Sequence, residues 1–199
     1  MLNSATFNTK KKDIETFIQS QVEMPFVEIS HCLPYKTFSD ITRDHDVHLI
    51  SDLKDSIVFL QSFDRSSLRV FNFLAMIPYL ATIVMCIYAV YSSHYFLLLA
   101  PVFLFIGTSV STAQVGKALI ISAMAAIASA AFENLTLSNL SGIIFIAVGF
   151  SSLARRYAGD RFAKYLISSD IIFTFYFIRR SFFLKKKQDC YVFDLKKEN

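Results

Sequence analysis

Charged residues are nearly absent from the middle of this 199-residue chain. The 85 residues from Val70 to Ala154 contain one lysine, no arginine and one glutamate. A charge at the centre of a bilayer costs roughly 2.5–3.5 kcal/mol, and about a quarter of the residues in an ordinary soluble domain are charged. The lack of charge therefore argues against a soluble fold for this stretch and predicts several membrane-spanning helices.

Tryptophan is absent, and only three cysteines are present. Without tryptophan, tyrosine is the expected aromatic anchor at the membrane–water interface. Cys86 falls in the first predicted span, whereas Cys32 and Cys190 fall in predicted cytoplasmic parts, where disulfides are rare. Residues 1–30 hold no apolar core of a signal peptide, so the first apolar helix is expected to act as an uncleaved anchor.

The apolar block is long enough for four spans, because about 20 apolar residues cross a hydrocarbon core of ~30 Å. The predicted spans are residues 70–91, 95–112, 115–132 and 137–154. Their short connections predict antiparallel neighbours and hence an up-down bundle. We therefore predict an all-α membrane protein with a four-helix transmembrane domain at residues 70–154.

Polar segments flank this domain on both sides. Residues 1–69 are predicted to be a cytosolic segment with an amphipathic helix, and residues 155–199 a basic cytosolic or interfacial segment. With the N-terminus inside, four spans place all twenty lysine and arginine residues on the inner side, in agreement with the positive-inside rule. The expected location is a membrane, the bacterial inner membrane in our interpretation, with both termini in the cytoplasm.

Residues 162–178 are apolar enough to suggest a fifth span. A fifth span would carry the basic residues that follow it to the outer side, against the orientation rule, so we favour a cytoplasmic or interfacial element. Ile171–Ile178 and Cys190–Leu195 are rich in aromatic and β-branched residues and are predicted strands, which would form a short β-hairpin. A fifth membrane-embedded helix stays open as the alternative.

The N-terminal segment shows helical periodicity from Phe38 to Phe63, after a short predicted helix at residues 13–21. The apolar stripe of this amphipathic helix, predicted to bind a partner, consists of Ile50, Leu53, Ile57 and Leu60. An apolar stripe needs a partner, and three remain open: the C-terminal segment, another subunit or the lipid interface.

Small residues recur along the third and fourth predicted spans. Small residues let helix backbones approach closely in lipid, where packing rather than a hydrophobic force drives association. The predicted packing face comprises Ser122, Ala126, Ser129, Ala130, Gly142 and Gly149. Three interpretations are open for this face: packing within one chain, an interface in a homo-oligomer, or the lining of a pore.

Basic residues cluster on the predicted cytoplasmic side. Each cation near an anionic leaflet is worth ~1 kcal/mol, so contact with anionic inner-leaflet headgroups or with an acidic protein is expected. The residues concerned are Arg155, Arg156, Arg179, Arg180, Lys185, Lys186 and Lys187. No nucleic-acid-binding signature accompanies the charge, which argues against a nucleic-acid partner.

The run Asp44, His45 and His48 has a spacing that brings side chains together on a helix. A transition-metal site needs three or four ligands, and nothing else in the sequence clearly supplies the remainder. We interpret the run as a solvated polar face and predict no metal and no cofactor. The motifs of P-loop, zinc-protease and serine-hydrolase enzymes are also absent.

These features predict a non-enzymatic integral membrane subunit of the scaffold or sensor type. Such a subunit would oligomerise in the bilayer and recruit or regulate a cytosolic protein partner. One alternative is a pore-forming or membrane-effector subunit of a bacterial defence or immunity pair, with Ser122 and Ser129 lining the pore. A second alternative is an enzyme at the inner membrane face that uses His45 or His48.

Overall fold

The structure, a computed structural model, describes residues 4–21, 38–44, 46–186 and 189–191. These residues are mostly helical and form eight α-helices and three β-strands. The α-helices are α1 (Ser4–Gln21), α2 (Phe38–Arg43), α3 (Leu53–Phe63), α4 (Arg65–Tyr91), α5 (Ala100–Thr108), α6 (Val115–Ala131), α7 (Leu135–Leu166) and α8 (Asp170–Ile178). The strands are β1 (Val47–Ser51), β2 (Phe182–Lys186) and β3 (Asp189–Tyr191).

Two of the described helices, α4 with 27 residues and α7 with 32, are long and apolar enough to cross a membrane. Only 17% of the apolar window of α4 and 39% of that of α7 is buried. A core helix of a soluble protein would be mostly buried, so the exposed apolar surface of these helices favours lipid as their solvent.

The second and third predicted spans are shorter helices in the structure. In the second predicted span, Tyr95–Leu99 is a 3₁₀ helix that leads into α5, which ends at Thr108. In the third predicted span, α6 has 17 residues. The stretch Tyr95–Thr108 and helix α6 are both shorter than the about 20 residues that usually cross a hydrocarbon core of ~30 Å. The structure thus supports two candidate spans, and the four-span bundle stays a prediction.

The residues divide into two compact units. Unit 1 combines the described residues up to Leu68 with those from Ala158 onward, and unit 2 is Arg69–Tyr157. Residues from both polar segments of the chain therefore fold together in unit 1. Helices α4 and α7 each contribute residues to both units.

Unit 2 has a small core in which helices approach closely. A Cβ atom added at Gly107 would lie 2.6 Å from the Cβ of Ala147 and 3.2 Å from the carbonyl oxygen of Ile144. Only glycine allows α5 to pass α7 at this distance. The surrounding core cluster is Ala89, Leu97, Ala100, Leu104, Leu140, Ile143 and Ala147.

Unit 1 contains a three-stranded antiparallel sheet in the order β1-β2-β3. The C-terminal segment has a β-hairpin, as predicted, but its first strand is β2 instead of Ile171–Ile178. The prediction of a strand at Ile171–Ile178 is wrong, because these residues form α8. A short run that is apolar on all sides has no period that separates a strand from a buried helix.

Local backbone geometry explains where α8 ends. Arg180 adopts a left-handed conformation (φ 57°), its N–H binds the carbonyl of Phe177, and the N–H of Ser181 binds the carbonyl of Tyr176. These two bonds form a Schellman motif, which usually has glycine at the left-handed position. Because arginine occupies the position where glycine is usual, the sequence gives no signal for this helix end.

The predicted helix from Phe38 to Phe63 is also wrong as one element. The structure divides it into α2, β1 and α3, and Ile50 lies in β1, paired with Phe183 of β2. The stripe therefore does not run along one helix. Strand β1 forms because β2, which is far away in sequence, supplies its hydrogen-bond partners. The periodicity of the local sequence cannot indicate such a distant partner.

We expect Gly107→Ala to lower the free energy of unfolding by about 1–3 kcal/mol, because the added methyl group overlaps Ala147 and the α7 backbone. Gly116→Ala is the matched control, since a Cβ at Gly116 meets nothing within 4 Å. That change should leave stability unchanged or raise it by up to about 1 kcal/mol. Thermal unfolding of both variants in detergent measures the difference, and equal melting temperatures would contradict the close crossing.

Candidate functional site

The most concentrated set of polar contacts in the described residues surrounds Asp64, between α3 and α4. The backbone N–H of Asp64 binds the carbonyl of Leu60 at the end of α3, and its own carbonyl accepts the N–H of Leu68 in α4. Its Oδ1 also accepts the backbone N–H of Ser67 at 3.3 Å, as an N-cap residue does. Asp64 thus ends one helix and begins the next, and it is fully buried.

Four further donors surround the buried carboxylate. Lys10 Nζ lies 2.5 Å and Ser66 Oγ 2.6 Å from Oδ1, while Ser67 Oγ lies 2.8 Å and the hydroxyl of Tyr165 3.2 Å from Oδ2. A buried charge is tolerated only when it is paired and hydrogen-bonded, and both conditions are met here.

The pKa of Asp64 reflects two opposed effects. Burial alone would raise the pKa, but the hydrogen bonds from Lys10, Ser66 and Ser67 outweigh it and lower the pKa from 3.8 to about 2. The carboxylate is therefore ionised throughout the physiological pH range, and the cluster is a permanent ion pair rather than a proton donor.

An aromatic cluster lies beside this ion pair. Phe59 contacts Phe162, Tyr165 and Tyr176, with ring centroids 4.9, 5.2 and 5.6 Å apart, and Phe162 packs edge-on against Tyr176. Burial raises the pKa of Tyr176 to about 12, so its hydroxyl is neutral. The rings come from α3, α7 and α8 and join the two polar ends of the chain in one core.

Helix α1 covers one side of the cluster. Its Phe7 stacks on Tyr165 with centroids 4.8 Å apart, and its Phe17 packs edge-on against Phe63 at 5.4 Å. Glu15 accepts a hydrogen bond from Ser169 Oγ at 2.5 Å. Helix α1 is thus held by aromatic contacts and by polar contacts that include Lys10–Asp64 and Glu15–Ser169.

Ser66 and Lys10 resemble a nucleophile and its base at first sight, since Lys10 Nζ also lies 3.1 Å from Ser66 Oγ. A lysine base must be neutral, whereas Lys10 pairs with a carboxylate that is ionised. Its ammonium group has no lone pair to accept the serine proton. The arrangement suits holding a helix in place better than covalent catalysis.

The predicted polar run at Asp44 does not assemble a metal site in the described residues, which contain no group of three or more metal-ligating side chains. His48 is exposed on β1, and Asp44 pairs with Lys186 at 2.5 Å. His45 lies outside the described residues.

The stripe predicted to bind a partner is largely covered within unit 1. Leu60 is fully buried, Leu53 and Ile57 are half-buried, and Ile50 is 37% exposed on β1. The buried face of α3 is instead formed by Ser56, Phe59 and Leu60.

The small residues of the third and fourth predicted spans occupy different environments in unit 2. Ser122 and Ser129 are buried and donate to carbonyls of their own helix, at Leu119 and Ala125. Ala126 is half-buried, and its carbonyl accepts a hydrogen bond from Ser138 of α7 at 3.0 Å.

The other members of this face are more open. Ala130 is exposed, a Cβ at Gly142 would meet nothing within 4 Å, and a Cβ at Gly149 would meet only Leu119 at 3.8 Å. The buried serines thus pack inside the chain, while Ala130 and Gly142 leave space beside them.

Two of the basic residues predicted to contact lipid, Arg155 and Lys186, bind other groups of the chain. The guanidinium of Arg155 donates to the carbonyls of Thr108 and Val110, at 2.7 and 3.0 Å, where α5 ends. It satisfies carbonyl groups that a helix end leaves without partners. Lys186 pairs with Asp44, as described above.

The remaining predicted basic residues are exposed where they are described. Arg156, Arg179, Arg180 and Lys185 are exposed, and Arg179 lies over the ring of Phe175 at 4.1 Å. Lys187 lies outside the described residues.

Lys10, Asp64 and Tyr165 were not among the predicted site residues. A local signal for Asp64 was available, because an aspartate shortly before the apolar run that begins at Val70 can serve as an N-cap. No local signal links it to Lys10, which is 54 residues away, or to Tyr165, which is 101 residues away.

No protein-family model, curated protein or solved structure matches the chain.

We expect Asp64→Asn to lower the free energy of unfolding by about 2–4 kcal/mol at neutral pH, since Lys10 loses its counter-charge in a partly buried site. Asp52→Asn is the matched control, because Asp52 caps α3 from an exposed position with one long bond to the N–H of Lys54 at 3.4 Å. That control should change stability by less than about 1 kcal/mol. Urea unfolding of the detergent-solubilised chain measures both.

The pH profile of the same variant separates the ion pair from a packing effect. Because the pKa of Asp64 is lowered from 3.8 to about 2, its stabilisation is complete above about pH 4 and is lost as the pH falls through about 2. The wild-type chain should lose about 2 kcal/mol more than Asp64→Asn over that interval. Parallel pH profiles would contradict the role of the carboxylate.

Proposed function

We propose that this chain is a non-enzymatic integral membrane subunit that oligomerises in the bilayer and recruits or regulates a cytosolic protein through unit 1. Four helices cross the membrane, and both termini lie in the cytoplasm, in our interpretation at a bacterial inner membrane. The observation that carries the proposal is the contrast between the two units: unit 2 exposes an almost uncharged apolar surface, and unit 1 is a charged folded body made from both ends of the chain.

The exposed surface of unit 2 supports a lipid environment. On α4 alone, Phe73, Ile83, Val84, Ile87 and Val90 are each more than half exposed. Monomeric soluble proteins rarely expose contiguous apolar patches larger than a few hundred Å², so a surface of this kind is typical of a lipid or protein interface.

The charges at the helix ends support the orientation. Arg65 and Arg69 are exposed in the first turns of α4, and Arg156 is exposed on α7 beyond the apolar window. Tyr88, Tyr91 and Tyr95 lie at the opposite end of the first predicted span and are also exposed. Cations inside and aromatic residues at the boundary follow the general pattern of inner-membrane proteins.

The fold and the exposed positive charges of unit 1 support a binding role. It has its own core and sheet, and its exposed cations Lys54, Lys164 and Lys185 suit anionic headgroups or an acidic partner surface. These features favour an interaction role for the cytosolic unit.

Cysteine accessibility tests the topology. In intact cells, a membrane-impermeant maleimide should label Ser93→Cys between the first two predicted spans and should leave the exposed native Cys190 unlabelled until the membrane is opened. Cys32 and the half-buried Cys86 are replaced by alanine in both chains, so that labelling is assigned to Cys190 or to the introduced cysteine. Labelling of Cys190 in intact cells would overturn the proposed orientation.

The oligomer is tested at Gly142, where a Cβ meets nothing within 4 Å in the single chain. Gly142→Leu should leave the melting temperature of the monomer within a few degrees of the wild type and shift the chain from oligomer to monomer in mild detergent, because it fills space that a second copy would occupy. Gly116→Leu is the control, being equally open but outside the predicted face. A wild-type chain that is already monomeric, measured by light scattering, would contradict the oligomer.

A further inference from the structure

Helix α1 presents one continuous stripe to the rest of unit 1. Lys10, Ile14 and Ile18 follow one another at intervals of four residues, and Phe7 and Phe17 flank them on the same face. Ile14 and Ile18 are fully buried, whereas Phe17 is 43% exposed. The other described side chains of the helix are polar and mostly exposed.

The surface under α1 is complementary to this stripe in chemistry. Asp64 receives the ammonium of Lys10, Tyr165 stacks on Phe7, Phe63 receives the edge of Phe17, and Ser169 donates to Glu15. Helix α1 also packs against α8. The surface therefore contacts both the apolar and the charged positions of an amphipathic helix, as in helix-in-groove recognition.

The core beneath this surface is connected without α1. Phe59, Phe162 and Tyr176 contact one another, and Phe173, Phe177 and Phe182 form a second set of ring contacts among α8 and β2. The rings of α1 reach the first set through Tyr165 and Phe63, which both contact Phe59. Helix α1 therefore packs against a core whose other rings also contact one another directly.

We propose that α1 is an exchangeable latch. It occupies in cis a groove of unit 1 that recognises an amphipathic helix with lysine, isoleucine and isoleucine at positions i, i+4 and i+8, and a partner helix of this pattern displaces it. This inference rests on the proposed function and names the partner-binding surface of unit 1. The carboxylate of Asp64 selects the lysine, since any other helix leaves a buried charge without its partner.

The charge on Asp64 makes the exchange selective rather than pH-driven. The carboxylate stays ionised through the physiological range, so the latch opens by competition from another helix and not by protonation. A competing helix must bring its own cation to the same atom, Oδ1 of Asp64.

Hydrogen exchange of the full chain in lipid nanodiscs tests whether α1 opens by itself. Lys10→Met keeps the length of the side chain and removes its charge, and it should speed exchange in α1 about tenfold while leaving α3 and α8 protected. Lys12→Met is the matched control on the same helix, since Lys12 is exposed, and should have no effect. Equal acceleration in α1 and α8 would show a single cooperative core and overturn the latch.

A peptide of residues 4–21 tests the recognition in trans. It should bind the full-length Lys10→Met chain about tenfold more tightly than the wild-type chain, in which the native α1 competes. The same peptide with Lys10→Glu should not bind. The proposal would be overturned if the peptide bound neither chain, or if the two peptides bound equally well.

These measurements are independent of the proposed membrane role. Peptide binding and hydrogen exchange report on unit 1 whichever way the chain lies in the membrane and whether or not it oligomerises. A failed latch therefore leaves the labelling result unaffected, and a failed topology leaves the peptide result unaffected.

Discussion

The near absence of charged side chains from residues 70–154 is the constraint on which the rest of this structure depends. Because a charge at mid-bilayer costs roughly 2.5–3.5 kcal/mol, a stretch with only Lys117 and Glu133 in 85 residues is suited to lipid. The structure places long, poorly buried apolar helices in this stretch. The charged residues are left to the two ends of the chain, which meet in unit 1.

Unit 1 solves the opposite problem, since it buries a charge. Asp64 receives an ammonium, two hydroxyls, a phenol and a backbone N–H, so that its desolvation is offset by bonds to the charged form. These donors come from α1, α4 and α7, which are distant in sequence. One carboxylate thereby fixes how the N-terminal helix, the start of α4 and the end of α7 fit together.

The sequence predicted the helical class well where composition is decisive. Long apolar windows identify α4 and α7 because length and lack of charge need no partner to be recognised. Short elements were mispredicted where a distant partner or an unusual cap decides. Ile50 is in a strand because β2 pairs with it, and Ile171–Ile178 is a helix that ends at a left-handed arginine.

The candidate site was less accessible to prediction than the fold. The cap position of Asp64 can be read locally, but its pairing with Lys10 is a tertiary contact that no spacing rule encodes. Arg155 shows the same limit: its sequence context suggests a lipid contact, and its guanidinium instead binds the carbonyls at the end of α5.

Electron cryomicroscopy of the chain in lipid nanodiscs measures the number of membrane crossings. We expect α4, α5 with the 3₁₀ turn before it, α6 and α7 all to lie within the lipid belt of ~30 Å, with unit 1 on one side. A map in which α5 and α6 lie outside the belt, or in which density for unit 1 appears on both sides, would contradict it.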